Sequence, residues 1–407
     1  MEIEFLGGAS KVGSLGMLMK TGGTKLLIDY GITPTDPPGY PVRTTAVDAV
    51  LLTHAHVDHS GMIPWYAGKY DSPIHASPPT IDVGLMLMED TIKVTQAEGY
   101  PLPYERGDVR AAQRNFDETD VGETFHVGDV EIETFSAGHI PGAMMYMVKS
   151  HDSVLFTGDI NTIDTRLVGR CDMPQCDTLI LESTYAGRHH PDRLKTEYAF
   201  QRKVDEVVAR GGVAVVPAFA VGRTQEAAMV LAQSRHLIWL DGMGKRVNEA
   251  YLDHPKYLAS AKKLRRAMNV CQAVRNTGAR SQAAHGDVII TTSGMLDGGP
   301  ALSYIDKLRH DPKNAILLTG YQVEGTNGRR LMDTGKMVFD GEEKEINCEV
   351  SFFDFSAHAD HKQLLRFVDK CEPTKVVLMH GDQREALAKD LEGYNVEMPN
   401  EGEKIEI

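Results

Sequence analysis

Cysteine is scarce in these 407 residues: five, odd in number and scattered at Cys171, Cys176, Cys271, Cys348 and Cys371. No disulfide framework is expected, and a reducing cytoplasm fits best. Long apolar runs are missing too. No stretch approaches the roughly 18 residues that cross a bilayer, so no membrane association is expected. The start, MEIEFLGG, lacks the charged and then apolar regions of a signal peptide. Tryptophan is rare as well, and Trp65 and Trp239 are expected in the core. No internal repeat or low-complexity tract is found. What remains is ordinary globular composition, 42% hydrophobic and 25% charged, long enough for two or three domain-sized units.

The net charge of −14 disfavours a polyanionic partner at first, but it hides an asymmetry. Residues 183–349 hold 24 Lys+Arg against 19 Asp+Glu, a net of +5, while the rest of the chain is net −19. Within that segment, residues 254–286 contain Lys256, Lys262, Lys263, Arg265, Arg266, Arg275 and Arg280 and no acid. Most charge runs are solvated helix faces. An acid-free window in so acidic a chain suits a polyanion-facing surface better.

The N-terminal third reads as short strands at 2–6, 17–20, 25–29 and 49–53, then a helix from Thr80 to about Gln96. Strands resume at 130–136, 144–148, 154–157 and 178–181. The middle third alternates apolar strand-like runs (213–216, 237–240, 288–291, 316–319) with helical patterns, as in a parallel α/β sheet. The last segment returns to short elements, with a strand at 375–379 and helices near 361–369 and 384–391. One domain interrupted by another is the expected organisation. Three middle strands run into small-residue turns, PAFAVGRTQE, TTSGMLDGGP and TGYQVEGTNGR, which carry Arg223, Ser293 and Arg329. Any one would pass as a simple turn; three together, beside the basic window, suggest a phosphate-lined cleft.

The strongest signal is His54-Ala-His56-Val-Asp58-His59 after the apolar run AVLLT. In an extended segment His54 and His56 project to one side and can grip one metal; Asp58 and His59, on the following turn, can face a second. Chance predicts roughly 0.002 such runs in a chain of this length. Imidazole with carboxylate favours zinc, with manganese or iron open. Further ligand candidates share a placement just past an apolar strand: His139 in SAGHIPGA, Asp159 in LFTGDI and His380 in VVLMHGD. Asp29 in KLLIDYG is placed likewise and is read as orienting a ligand histidine. His189 and His190 are read as a solvated loop, and His361 as part of a surface turn.

HAHVDH, with Asp29, His139 and Asp159, resembles the metallo-β-lactamase fold across residues 1–182. Glu182 in LILESTYA, His358 in FDFSAHADH and His380 in LMHGDQREA look like three signature positions of the β-CASP nucleases. The three small-residue turns look like the inserted domain of the cleavage and polyadenylation specificity factor branch. In length the chain is most similar to compact archaeal members without KH modules. The resemblance implies an α/β fold: an αββα sandwich (1–182 and 350–407) interrupted by a β-CASP domain with a mainly parallel sheet at 183–349. It also implies two Zn2+ ions, one held by His54, His56 and His139, the other by Asp58, His59 and His380, with Asp159 bridging. His358 is then the candidate general acid, oriented by Glu182, and Asp58 is counted with the catalytic groups.

The expected function is hydrolysis of phosphodiester bonds in single-stranded RNA, most simply by internal cuts. Lys262, Lys263, Arg265, Arg266, Arg223, Ser293 and Arg329 are the candidate RNA contacts. A 5′→3′ exonuclease of the RNase J type is the runner-up. A small-substrate metallohydrolase is disfavoured by the basic inserted segment, and a non-catalytic scaffold by the full set of ligand positions. Self-association as a homodimer is compatible with everything above.

Overall fold

The computed structural model describes residues 1–35 and 37–407 and divides into two compact units. The first comprises Met1–Asp164, Gly169–His189 and His358–Ile407; the second comprises Thr165–Val168 and His190–Ala357.

The first unit is built on two seven-stranded sheets. One runs, in spatial order, Lys404–Glu406, Glu2–Gly7, Gly16–Thr21, Thr24–Tyr30, Ala49–Leu51, Ile74–Ala76 and Phe116–Glu118. The other runs Asn395–Glu397, Lys375–Met379, Thr178–Glu182, Ser153–Phe156, Met144–Lys149, Val130–Ser136 and Thr124–Val127. Alternate residues of both sheets meet in one core, where Ile3, Phe5, Met17 and Ile28 join Ile132, Tyr146, Phe156 and Val377. The opposite face of the first sheet, with Leu27, Val50 and Leu52, is covered by helices through Ile63, Met88, Ile92 and Val109. Hydrophobic residues on both faces explain why the strand Thr24–Tyr30 reads as a near-continuous apolar run. On the C-terminal side, helix His361–Cys371 starts in a capping box made by Asp360 and Gln363 and buries Leu364, Phe367, Val368 and Cys371.

The second unit holds a six-stranded sheet in the order Gln272–Ala273, Ile238–Asp241, Val288–Thr291, Ala214–Pro217, Ala315–Leu318 and Glu349–Phe352. Every neighbouring pair in it is parallel. Its four inner strands are four-residue, largely apolar runs buried on both faces, the pattern of a sheet covered by crossover helices. A separate antiparallel hairpin joins Lys336–Phe339 to Glu342–Glu345.

The expected domain limits at 183 and 349 fall near these divisions but not on them. Thr165–Val168 joins the second unit from within the expected first domain. The reason is local: the Leu167 N–H donates to Glu226 Oε1 (2.8 Å) and the Leu167 carbonyl accepts from the Ala259 N–H (2.9 Å). No helix among the described residues is long and apolar enough to cross a membrane.

Candidate metal centre

The candidate ligands stand at or just past the carboxyl ends of strands in the first unit, where the hydrogen-bonded ladder stops and side chains can converge. Ala49–Leu51 leads to His54 and His56, and His56 caps a single helical turn, Val57–Ser60, that carries Asp58 and His59. A Cβ on Gly31 would overlap the Asp58 carbonyl, so only glycine lets the backbone approach that turn so closely. Val130–Ser136 leads to His139, Ser153–Phe156 to Asp159 and Lys375–Met379 to His380, while Glu182 ends its own strand. Asp29 and His380 hold left-handed backbone, φ 53° and 52°, which non-glycine residues adopt rarely and where the surroundings fix them.

Three groups of donor atoms result, each within 4.8 Å: His54, His56, His139 and Asp159; Asp58, His59 and His380; Asp159, Glu182 and His358. His54 Nε2 lies 3.0 Å from His56 Nδ1, which lies 3.1 Å from His139 Nε2. One ring nitrogen cannot satisfy two others with its one in-plane position. A shared cation can, since tetrahedral Zn–N bonds of about 2.1 Å place nitrogens about 3.4 Å apart. Asp159 reaches toward two groups at once: Oδ2 is 3.4 Å from His59 Nε2 and 3.5 Å from His54 Nε2, and Oδ1 is 3.8 Å from His380 Nε2. His59 Nε2, Asp159 Oδ1 and both His380 ring nitrogens are buried without a hydrogen-bond partner. Orphaned donors and acceptors of this kind cost about 1–3 kcal/mol each unless something occupies the space between them. The residues therefore fit a metal site.

Electrostatics agree. Burial pushes His54 well below the usual histidine range and His56 down to about 4, which leaves their lone pairs available. Burial works against a charged His59 too, but Asp159, Asp29 and Asp58 outweigh it and raise that ring well above its ordinary value. Burial also opposes ionisation of Asp159 and Asp58. The His59 charge overrides it at both, joined by His358 at Asp159 and by His380 at Asp58, so both stay below the usual carboxylate range. Among the described residues, no Lys or Arg pairs with Asp29, Asp159 or Glu182, although the three are at most 2% exposed. A divalent cation would supply that compensation in place of the His59 proton.

Supporting contacts orient the ligands. Asp29 accepts from the Thr53 N–H (2.8 Å), the Thr53 hydroxyl (2.8 Å) and His59 Nδ1 (2.7 Å), so His59 turns Nε2 toward the centre. Glu182 accepts from the Ile160 N–H (2.9 Å), the Thr184 N–H (3.2 Å) and His358 Nδ1 (3.2 Å). The Ile160 carbonyl takes the Ala359 N–H at 2.7 Å, so the one residue after Asp159 fixes both Glu182 and the turn of His358. Sequence reasoning missed Thr53 and Ile160; the only signal was adjacency to a ligand.

Two histidine readings need correction. His361 is buried rather than part of a surface turn: Nδ1 accepts the Gly187 N–H (2.9 Å) and Nε2 donates to Asp390 (2.9 Å). His190 is not solvated either, because Asp354 holds Nδ1 at 2.8 Å; His189 is exposed as expected.

In the second unit the three small-residue turns follow three adjacent parallel strands, in the order Val288–Thr291, Ala214–Pro217, Ala315–Leu318. Gln322 Nε2 donates to the Gly294 and Gly320 carbonyls (3.1 and 2.8 Å), and Phe219 packs against both glycines, a role no local signal announced. Ser293 is half-buried, Arg223 is 9% exposed, and Arg329 is ion-paired with Asp333 at 2.8 Å. Arg280 is likewise taken by Asp241. By contrast helix Ala261–Val270 buries Leu264 and Ala267 and exposes Lys262, Lys263, Arg265 and Arg266.

The family profile of the metallo-beta-lactamase superfamily matches residues 11–211, that of the Beta-Casp domain 224–331, and that of the Zn-dependent metallo-hydrolase RNA specificity domain 343–399. A Methanocaldococcus jannaschii protein named probable RNase MJ4 is 36% identical, with both chains covered in full. RNase aCSPSF2 of Saccharolobus solfataricus is 33% identical over 100% of this chain and 85% of its own. Transcription termination factor FttA of M. jannaschii is 32% identical over 95% of this chain and 68% of its own. A crystal structure of a protein of unknown function from Enterococcus faecalis V583 shares the fold at a TM-score of 0.65, with 14% identity over 99% of both chains.

Asp29→Asn offers a direct test of ligand orientation. Asparagine tolerates the left-handed backbone, but its amide presents a donor to His59 Nδ1 and turns the ring's lone pair away from the centre. Metal affinity in a chelator competition should drop by about 10–100-fold, with the fold retained. Unaltered affinity would show that Asp29 does not orient a ligand.

Proposed function

The chain belongs to the metallo-β-lactamase superfamily in its β-CASP ribonuclease branch, and from that premise we propose a zinc-dependent ribonuclease that cuts single-stranded RNA internally. The observation that carries this reading is the third donor group. His358 stands beside Asp159 yet is held by Glu182, so the site has a proton donor in addition to a full complement of metal ligands.

Two zinc ions, one at His54, His56 and His139 and one at Asp58, His59 and His380 with Asp159 between, would supply a clamp for the scissile phosphate and acidify a bound water. The chain's own groups do the rest. Asp58, with 23% of its side chain exposed, lies on the open side of the cluster and can accept a hydrogen bond from the attacking water. Glu182, anchored by two backbone N–H groups, accepts a hydrogen bond from His358 Nδ1 and fixes the ring, leaving Nε2 to carry the proton that the leaving 3′ oxygen needs. The products are a 5′ phosphate and a 3′ hydroxyl.

The division into 1–182, 183–349 and 350–407 is retained as the domain assignment, with the middle domain gripping RNA. The four exposed cations of helix Ala261–Val270 carry no ion pair among the described residues, unlike Arg280 and Arg329. They are therefore the first candidates for the RNA backbone, ahead of Arg223, Ser293 and Arg329. Five free cysteines suit a reducing cytoplasm.

Digestion of RNA labelled at each end by the zinc-loaded protein should release intermediate fragments from both labels. Mononucleotides from the 5′ end would assign a 5′→3′ exonuclease instead, and intact RNA would favour a scaffold. In the same assay His358→Ala should lower turnover by roughly 10²–10⁴-fold with both metals kept, and Glu182→Gln should be milder. Loss of a metal from His358→Ala would make His358 a ligand.

Replacing Lys262, Lys263, Arg265 and Arg266 together by Ala should weaken RNA binding and reduce its log–log salt slope by up to about 3, with metal content unchanged. An unchanged slope would assign this helix to solvent or to a protein partner.

A further inference from the structure

His361 is a buried imidazole of the first unit that the chemistry above does not use. It stands three residues after His358, at the first position of helix His361–Cys371. A helix leaves its first N–H groups without partners of its own. The His361 N–H finds one outside the helix, the Arg188 carbonyl at 2.9 Å. The ring catches the same stretch of chain, because Nδ1 accepts the Gly187 N–H at 2.9 Å. Nδ1 therefore carries no proton. The ring's proton sits on Nε2, which donates to Asp390 Oδ2 at 2.9 Å.

Gly187 and Arg188 end the turn that starts at Glu182. The Ala186 N–H donates to the Ser183 carbonyl and the Arg188 N–H to the Tyr185 carbonyl, both at 3.0 Å. Gly187 has a φ of 73°, and a Cβ there would come within 3.0 Å of Gln383 Oε1 and 3.2 Å of Ala386, so the place calls for glycine. At the near end of the turn, the Thr184 N–H donates to Glu182 and its hydroxyl to the His380 carbonyl at 3.3 Å. The buried Tyr185 brings its ring to 5.6 Å from that of His358. Two turns thus meet at the proton donor: its own, and the one from Glu182 to Arg188. His361 joins them twice, once by its ring and once by its backbone.

We propose that His361 is a positioning residue for the proton donor: by pinning the Glu182–Arg188 turn to the His358 turn, it fixes where His358 Nε2 stands. The inference rests on the ribonuclease reading. Its consequence is selective. A ribose 3′ oxygen needs a proton as it leaves, whereas p-nitrophenolate leaves without one. A displaced His358 therefore slows RNA cleavage and spares an activated ester. The two ring nitrogens can be tested apart, because Asn places an oxygen near the position of Nδ1 and Gln places its amide near that of Nε2.

The test compares single-stranded RNA with bis(p-nitrophenyl) phosphate on the full-length, zinc-loaded chain, and follows zinc content and amide exchange at Gly187. His361→Gln should lower kcat for RNA by about 10–100-fold, since a shift of about 1 Å in a reacting group costs up to about 10²-fold, and should keep KM and hydrolysis of the activated ester within about two-fold. Zinc content should be unchanged and Gly187 exchange faster. His361→Asn, which retains an acceptor for the Gly187 N–H, should recover most of the loss. Asp390→Ala, at a position with 54% of its side chain exposed, removes only the partner of Nε2 and should show the same split in weaker form should His361→Gln not fold. Equal losses in the Asn and Gln variants, equal losses on both substrates, or undisturbed Gly187 exchange would overturn the role given to His361 and leave the ribonuclease reading intact. A wild-type protein that cuts no RNA would overturn that reading and this role with it.

Discussion

Asp159 is 2% exposed and ionised, and its Oδ1 accepts no hydrogen bond. A buried carboxylate without a cation costs several kcal/mol, and this one is surrounded by imidazoles rather than by lysine or arginine. The two other buried carboxylates nearby are fully served: Asp29 by Thr53 and His59, Glu182 by two peptide N–H groups and His358. Asp159 alone is left short. The remaining ligands take up positions that a divalent ion at Asp159 would satisfy, and the elements behind them hold those positions.

The sheets do that holding through strand ends. Within a strand, side chains are committed to one face or the other; beyond its last ladder bond they are free to turn. Bringing several such ends to one edge collects histidines and carboxylates from points more than 300 residues apart in sequence. The arrangement demands unusual backbone where the chain turns, at Asp29 and His380, and glycine where it is pressed closest, at Gly31. The core between the sheets, and a second one on the outer face of the first sheet, make that strain tolerable. The second unit contributes shape and charge of a different kind. Its inner parallel strands end in glycine-rich turns knitted by Phe219 and Gln322, and helix Ala261–Val270 exposes four cations that carry no ion pair among the described residues.

Much of this was legible in the residues alone. The HAHVDH run announces a cluster of metal-type donors because its spacing is local: an extended pair, then a single turn. The ligand candidates His139, Asp159 and His380 were found by one rule, a chemistry-bearing residue just past an apolar strand, and the strands themselves are plain from apolar runs and turn residues. The parallel character of the middle sheet follows from strand–helix alternation. The resemblance to β-CASP nucleases added Glu182 and His358.

Partnerships across long separations were not legible. Glu182 and His358 are 176 residues apart, and nothing local says that the backbone of Ile160, next to Asp159, holds both Glu182 and the turn of His358. His361 and His190 looked exposed because polar residues in turns usually are; each is instead taken by an aspartate delivered by another element. Arg280 looked like a free cation until the fold supplied Asp241, 39 residues away; Arg329 is paired locally, with Asp333 one turn further along the same helix. Thr165–Val168 packs with the second compact unit through Glu226 and Ala259, contacts that no local signal announced. Residue types and short spacings determine what chemistry is available, because strand and turn geometry act over a few residues. Which carboxylate meets which imidazole, and which cation stays free, is decided by burial, because only desolvation makes those pairings obligatory.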